Sequence, residues 1–584
     1  MHLVPRPQHE QYSDDRIDLD ALDGITTNGT TPATASVDRV QTIIDREIDQ
    51  TLPTVDSDEA TGPSIALRTV DTLEPPAGRT IDHEDEAYRL SVTGDGIELV
   101  ATTAAGFHYA AQTLAGLIEA ADSGEAYTVP TCEVVDWPAF EWRGVMVDPA
   151  RKFIPLSDLY DLVESMARAK LNVLHLHLID NEGYAMESSA YPELNRSPDG
   201  TERPSYGQDE MAEFVEHAAE WDITVIPELD APGHGLHLLT QIPDIRCDTP
   251  GETTVFNLKP AFCLGKDRSY EVWGDLLDEV VSVFDADIVH VGADEWSHHG
   301  IEWEDCIDCR AYMESEGLDD VQELFYDFIH RAHGMVTDRG KRMSMWSEQI
   351  DISERPTLPS DIMMHFWIVS YPPWGPDFEG NSFDLFAEEG YELLNSYPPA
   401  TYLNTLDPER LLAWTPTTSP EVSEENVSGV PGGELCIWGD AIDDNDEMQA
   451  YHDRVMPSGV AVFADRVWNA TPIDDRDAFS RAVTRHLLGP DIPAKFDVFA
   501  ALGGVVLPTI SNDYAKKAHF PGSALGRPAP EAIANYEETI ETLESVGADA
   551  RFPAVVDEYV DALEWLIEVV ERDSRGLTQP PDKV

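Results

Sequence analysis

Asp294 and Glu295 follow directly on an apolar run, Ile288-Val289-His290-Val291-Gly292-Ala293. With 111 acidic residues in 584, about 20 adjacent acidic pairs arise by chance, so the dipeptide carries no weight alone. Its context does. A buried strand that runs into two carboxylates costs free energy unless they are partnered or functional, and a catalytic pair outweighs a structural one here. Other apolar runs end in the same way. Asp148 and Arg151 follow one; His175, His177 and Asp180 follow a second; Glu228, Asp230 and His234 a third; Trp346 and Glu348, Trp367, Tyr402, and Trp438 with Asp440 complete the set. Carboxylates, one arginine and several tryptophans suit a neutral polyol ring. They supply hydrogen bonds to hydroxyls, an aromatic wall for C–H faces and an acid for a glycosidic oxygen.

Such residues converge only if the runs are strands of one sheet. Eight cores are legible: Gly144 to Val147, Val173 to Leu178, Thr224 to Leu229, Ile288 to Gly292, Arg342 to Trp346, Ile362 to Trp367, Tyr391 to Asn395 and Leu435 to Trp438. Near-continuous apolar strands alternating with helical patterns imply a parallel sheet buried on both faces. Eight of them imply an α/β fold, a (β/α)8 TIM barrel with its site at the C-terminal strand ends. His175 and His177 share one strand face and the intervening leucines the other, which turns both histidines into the barrel as polar layer residues. The barrel is expected over 139–490. A small α+β domain precedes it over 1–138, with a hairpin at Tyr88 to Ala101 around Gly94-Asp95-Gly96 and a helix from Phe107 to Ile118. Residues 1 to about 63 are poorly patterned, with one amphipathic helix possible at Val37 to Leu52. A helical region closes the chain over 491–584, where Val556, Tyr559, Val560, Leu563, Leu566, Ile567 and Val570 form a stripe that packs on the barrel.

The formal charge is −73, from 38 basic and 111 acidic residues. Nucleic acid and anionic membrane surfaces are disfavoured as partners, since both need clustered cations. An apolar fraction of 42% with 13 Trp is ample for a core. Carboxylates run the whole length and only nine of the basic residues are Lys, which reads as halophilic adaptation. Met1 to Asp14 has no apolar core of a signal peptide, no run is long enough to span a membrane, and six dispersed cysteines do not form a disulfide framework. A cytoplasmic location is expected.

Three segments resemble family 20 glycoside hydrolases, the β-N-acetylhexosaminidases: RGVMVDPARKF from Arg143 to Phe153, KLNVLHLHLID from Lys170 to Asp180, and HVGADE from His290 to Glu295. Ile226 to His234, Trp346-Ser347-Glu348 and Ala464 to Trp468 support them, as does the N-terminal hairpin and helix, so the resemblance covers roughly residues 60 to 490. It implies an exo-acting enzyme that removes terminal β-linked N-acetylhexosamine, with substrate-assisted retention in place of an enzyme nucleophile. It also implies roles. Glu295 is then the general acid, Asp294 holds the acetamido N–H, and Tyr402 donates to the acetamido oxygen. Trp346, Trp367 and Trp438 wall the sugar, Arg151 binds ring hydroxyls, and Asp180 with His234 positions the acid. Without the resemblance His234 reads as a loop histidine after Pro232-Gly233.

Lys152, Asn181 and Tyr184 stand where the family often has His, Asp and Trp. Asn404 and Asp440 stand where it has Asp and Glu binding hydroxyls on the O4 and O6 side, so sugar preference is open between GlcNAc, GalNAc and a modified hexosaminide. A non-catalytic sugar-binding protein is the contrasting reading, and Asp294, Glu295 and Tyr402 together argue against it. His298, His299, Cys306 and Cys309 have zinc-ligand chemistry, but adjacent histidines rarely chelate one ion and the family often has metal-free cysteines in this loop. A disulfide or free thiols is therefore expected there, with no metal and no cofactor. Oligomeric state is left open.

The charge carries a prediction of its own. Like charges repel across the whole surface in dilute buffer, whereas about 1 M salt shortens the screening length to about 3 Å. Circular dichroism and activity should fall together when KCl or NaCl is dialysed away; full cooperative stability without salt would contradict halophilic adaptation.

Overall fold

The computed structural model describes residues 3–48, 51–56, 60–120, 127–197, 199–248, 261–296, 303–348, 350, 358–367, 383–403, 408–418, 422–439, 446–489, 496–501, 529–546 and most of 555–567. Seven strands form the N-terminal sheet: β1 (His9–Asp18), β2 (Ile25–Thr27), β3 (Ile65–Thr69), β4 (Tyr88–Thr93), β5 (Gly96–Ala101), β6 (Glu119–Ala120) and β7 (Tyr127–Asp136). Their order is β1-β7-β4-β5-β3-β2, with β6 added on β7. The expected hairpin is β4–β5, paired from Tyr88 opposite Ala101 to Thr93 opposite Gly96. Tyr88, Leu90, Val92, Ile97, Leu99 and Ala101 bury one face in the core shared with helices Thr31–Ile48 and Ala104–Leu117. Thr103 caps the second helix by accepting from the Gly106 N–H at 3.2 Å.

Two features of the first 63 residues differ from the sequence reading. The helix begins at Thr31, ahead of Val37, and ends at Ile48. The long strand β1 was not anticipated. It is an edge strand whose residues are mostly half-exposed or exposed, with an irregularity between Tyr12 and Arg16, so no apolar alternation marks it.

The barrel is closed by eight parallel strands in chain order: β8 (Trp142–Val147), β9 (Val173–His177), β10 (Thr224–Glu228), β11 (Ile288–His290), β12 (Arg342–Trp346), β13 (Met363–Phe366), β14 (Leu393–Asn395) and β15 (Gly432–Ile437). Pairing of β15 with β8, from Gly432 opposite Trp142 to Ile437 opposite Val147, shuts the ring. The fold expectation of a (β/α)8 barrel after a small α+β domain therefore holds. Gly432 lies at φ +159, and a Cβ there would stand 1.8 Å from the Trp142 carbonyl oxygen, so only glycine lets the closing strands approach. Helix Asp446–Trp468 packs across β8 and β15. In the C-terminal region Val556, Tyr559 and Leu563 are buried in the main core, with Tyr559 edge-on to Phe499, while Leu566 and Val570 lie outside the described residues.

Sheet and barrel meet over buried charge. Asp136, the last residue of β7, accepts from Lys170 Nζ at 2.9 Å, Tyr88 OH at 2.6 Å and Trp468 Nε1 at 3.0 Å. Lys170 also sits 4.4 Å from the centre of the Trp468 ring. Beside them Arg143 on β8 donates to Glu86 at 2.6 Å and to Tyr109 OH at 2.9 Å. Glu86 and Tyr109 belong to the sheet domain, so each ion pair joins the two halves. Removing one partner strands the other charge in the interior, and Asp136→Ala should lower stability by about 3–5 kcal/mol. Denaturant unfolding in high salt measures this, and a loss below 1 kcal/mol would show that the junction tolerates a lone lysine.

Candidate active site

The chain beyond β11 is bent so that two successive carboxyl groups leave the barrel mouth. Gly292, Ala293 and Glu295 have φ of +66, +71 and +47, a cluster of left-handed backbone that costs free energy at the two non-glycine positions and is typical of functional turns. Gly292 has no alternative, since a Cβ would lie 1.8 Å from Asp230 Oδ1. That carboxylate accepts from the Ala293 N–H at 3.1 Å, and Glu348 Oε2 accepts from the Glu295 N–H at 2.8 Å. The turn is thereby pinned from β10 and β12. Asp294 is buried, 7% exposed, whereas the Glu295 side chain is 32% exposed. The two neighbours thus occupy different environments.

His234, also at positive φ, stands between this pair and the barrel floor. Its Nε2 is 3.6 Å from Asp294 and 3.5 Å from Glu295, and its Nδ1 is 3.2 Å from Asp180. Burial disfavours the imidazolium, but Asp180 and Asp294 outweigh it and raise the His234 pKa well above the ordinary value. Asp180 also takes Arg151 at 2.7 Å and His177 Nε2 at 2.9 Å. Burial works against its ionisation, and the His234 and Arg151 cations overcome that, holding it well below the usual carboxylate range. Arg151 approaches His234 Nδ1 at 3.3 Å. With both groups charged that contact is not a hydrogen bond; Asp180 holds the two cations together.

Beneath lies a layer of buried polar groups. Glu228 accepts from Trp346 Nε1 at 2.8 Å, lies 2.9 Å from His290 Nδ1, and binds His177 Nδ1. Glu434 faces His175 at 3.2 Å and His365 at 3.4 Å. His175 and His177 therefore do point into the barrel, as their spacing required. Above the layer, Trp346, Tyr402 and Trp438 cluster with Trp367. Trp367 is parallel to Tyr402 at 6.1 Å, Tyr402 lies 5.9 Å from Trp438, and Trp438 lies 5.8 Å from Trp346 and 5.1 Å from the Arg151 guanidinium carbon. Trp346, stacked on His365 at 4.0 Å and almost wholly buried, forms the floor of this cluster.

Glu295, Asp294, Tyr402, Arg151, Trp346, Trp367, Trp438, Asp180 and His234 are thus gathered at one barrel mouth. Asn404 and Asp440 lie outside the described residues. Four residues that stand at strand ends had been given no role: Asp148, which holds Arg151 at 2.7 Å, Glu228, Asp230 and Glu348. The apolar strand ends were the available signal, but a partner list was not. Cys306 and Cys309 are buried and, like the other four cysteines, form no disulfide; His298 and His299 lie outside the described residues. The disulfide alternative for this loop is therefore not what the structure contains.

Glu348 shares its surroundings with two other carboxyl groups. Burial, then the charges of Glu295 and Asp294, push its pKa up to about 8. Burial and Glu295 likewise raise Asp294. Near neutral pH Glu348 keeps its proton, which spares the site a further negative charge beside Asp294. Between its unfolded value near 4.5 and about 8 the folded state holds a proton that the unfolded chain has lost, so this group's contribution to stability falls as pH rises. Above about 8 a new charge arises under the Glu295 backbone. Activity should decline on the alkaline side with an apparent pKa near 8, and Glu348→Gln should shift that limb upward. An unchanged alkaline limb in the variant would exclude Glu348 as its origin.

Two family models match the chain: the catalytic domain of glycosyl hydrolase family 20 over residues 140–471 and domain 2 of the same family over residues 1–137. Among named relatives, a β-hexosaminidase of Akkermansia muciniphila is 34% identical over 45% of this chain and 56% of its own. One of Vibrio furnissii is 27% identical over 77% of this chain and 74% of its own, and a β-N-acetylhexosaminidase of Cellulomonas fimi 29% identical over 73% and 82%. The first of these alignments spans about half of the relative's length. Solved structures share the fold: an exo β-N-acetylglucosaminidase from Vibrio harveyi in complex with N-acetylglucosamine has a TM-score of 0.66 at 23% identity, covering 80% of this chain and 73% of that one. A β-N-acetylhexosaminidase from Bacteroides fragilis has the same TM-score and identity over 83% and 94%. With matched models over its sheet domain and over its barrel, this chain belongs to glycosyl hydrolase family 20.

Proposed function

We propose that the protein is an exo-acting β-N-acetylhexosaminidase that releases terminal GlcNAc or GalNAc from oligosaccharides and other glycosides with retention, through an oxazolinium intermediate. One observation carries the reading. Among the described residues Asp294 Oδ1 is buried without a hydrogen-bond partner, next to an aromatic cluster and below a more open carboxyl group. A buried carboxylate oxygen with no donor is an acceptor awaiting an N–H, which the 2-acetamido group brings. The family resemblance and the relatives' names support the same activity.

In the first step the acetamido oxygen attacks C1 while Glu295 gives its proton to the glycosidic oxygen. The C1–O bond breaks, the aglycone leaves as an alcohol, and a cationic oxazolinium remains. Asp294 balances the positive charge that grows on the amide, and Tyr402 aligns the amide oxygen by donating to it. Glu295, now a carboxylate, then takes a proton from the water that attacks C1. The ring opens to the β-hemiacetal, and the acid is regenerated. His234, drawn to Asp180 below, helps keep Asp294 ionised beside a protonated Glu295. Trp346, Trp367 and Trp438 wall the sugar, and Arg151, held rigid by Asp148 and Asp180, meets the ring hydroxyls. Asn404 and Asp440 depart from the family pattern on the O4 and O6 side, which favours a comparison of GlcNAc, GalNAc and 6-modified sugars. Chitooligosaccharides, a cytoplasmic location and a salt requirement complete the proposal.

Glu295→Gln keeps the volume but removes the proton. It should slow sugar and alkyl leaving groups by about 10² to 10⁴ with binding retained, and activated aryl glycosides less. Asp294→Asn should raise the barrier by about 2–4 kcal/mol, mostly in kcat. A thiazoline mimic of the oxazolinium should inhibit. Azide rescue of Asp294→Ala to an α-glycosyl azide, or a 2-fluoro sugar trapped on Asp294, would establish a conventional nucleophile and overturn substrate assistance.

A further inference from the structure

Four of the six cysteines converge at one point outside the active site. Cys247, Cys263, Cys306 and Cys309 are all buried, and their sulfurs lie within 4.8 Å of one another. Cys309 is 3.7 Å from Cys247 and 3.6 Å from Cys263, and Cys263 is 3.7 Å from Cys306. A disulfide needs one partner at about 2.05 Å. Here Cys263 and Cys309 each have two neighbours at almost equal distance, which is the arrangement of a tetrahedron and not of pairs. With Zn–S bonds of about 2.3 Å, a regular tetrahedron of sulfurs has edges of about 3.8 Å. Three of the six sulfur–sulfur separations fall within 0.2 Å of that edge, and all lie within 4.8 Å.

The backbone is shaped to bring the sulfurs together. Arg246 and Phe262 form an antiparallel bridge, with the Cys247 N–H donating to Ala261 at 2.8 Å and the Cys263 N–H donating to Ile245 at 2.9 Å, so these two cysteines leave a two-stranded clip. Cys306 is the residue just before helix Ile307–Glu316, and Cys309 sits in its first turn. A Cβ on Gly265 would stand 2.4 Å from the Asp308 carbonyl oxygen, so glycine lets the clip and the helix approach.

We propose that these four cysteines bind one Zn²⁺ as a closed tetrathiolate site. Binding replaces four S–H bonds by four Zn–S bonds, releases four protons to solvent and leaves a centre of net charge −2. All four positions are filled by sulfur, so the ion is structural and has no place for water or substrate. The proposal sets aside the expectation of a metal-free loop, and it replaces the His298 and His299 ligands with two cysteines from the preceding clip. The site joins two barrel-mouth connections. Trp303 Nε1 donates to Phe262 in the clip at 2.9 Å, and Trp303 stacks on Trp296 at 4.9 Å, directly after Glu295. The zinc thereby anchors the far end of the segment that leaves the catalytic pair.

The test uses the full-length protein purified in molar salt with reductant from zinc-supplemented cells, and does not depend on its glycosidase activity. Elemental analysis should find one zinc per chain. Cys247→Ser and Cys309→Ser should lose it, whereas His298→Ala with His299→Ala should keep it. Since the serine variants can fail to fold, the wild-type protein is also exchanged with Co²⁺, which should give the strong visible absorption of a tetrahedral tetrathiolate. Loss of zinc to a chelator should lower Tm. Peptide mapping that finds two disulfides among the four cysteines would overturn the proposal. So would four free thiols that take up neither zinc nor cobalt, stoichiometric iron in place of zinc, or loss of the metal in the histidine variant.

Discussion

Asp180 is the carboxylate on which the site depends. It is fully buried, and an isolated ion there would shed its charge. Arg151, His177 and His234 keep it ionised, and it in turn fixes each of them in place. The arrangement passes outward in steps. Asp148 holds the other face of Arg151, His234 reaches the Asp294–Glu295 pair, and His177 reaches Glu228, which positions the Trp346 ring. Opposite charges alternate along the chain of contacts, so no member is left alone in the low-dielectric interior. Such a network sets positions to a fraction of an ångström, which is what acid transfer to a bound sugar demands.

The same constraint recurs between the two halves of the molecule. Lys170 with Asp136 and Arg143 with Glu86 are buried pairs that cross from barrel to sheet, backed by Tyr88, Tyr109 and Trp468. Hydrophobic surfaces alone would let the sheet slide on the barrel; directional charged hydrogen bonds select one docking geometry. Arg143 and Lys170 sit at the start of β8 and in the turn before β9, two strands whose far ends carry Asp148, Arg151 and Asp180. The strands thus connect the domain junction at one end of the barrel to the sugar-binding side chains at the other.

Carboxyl groups are used in three distinct electrostatic states within one mouth. Asp180 is held ionised by cations, Glu348 keeps a proton near neutral pH because it is buried beside two other acids, and Asp294 lies between them with His234 opposing its burial. The protein's surface carries a large net negative charge, yet its interior treats each acid separately. Local partners, not overall charge, decide protonation inside, while the salt-dependent repulsion acts on the exposed carboxylates.

Periodicity and local spacing determined a good deal of this molecule. Eight apolar runs marked all eight barrel strands, the alternation at Tyr88 to Ala101 marked the β4–β5 hairpin, and the spacing of His175 and His177 put both in the interior, because burial on one or both faces of a strand leaves a pattern in neighbouring residues. Acidic and aromatic residues at the ends of those strands were legible for the same reason. Strand β1 was not, since an edge strand exposed over much of its length has no such pattern. Nor could Glu228 be recognised as the common partner of His177, His290 and Trp346, or Glu348 as the acceptor under Glu295, because these contacts join strands far apart in the chain. Cys306 and Cys309 were visible as a spaced pair, but their nearest companions in the sequence were histidines. Only the folded chain set Cys247 and Cys263 against them, because a hydrogen-bonded clip and a helix start meet there through tertiary packing that no local pattern encodes.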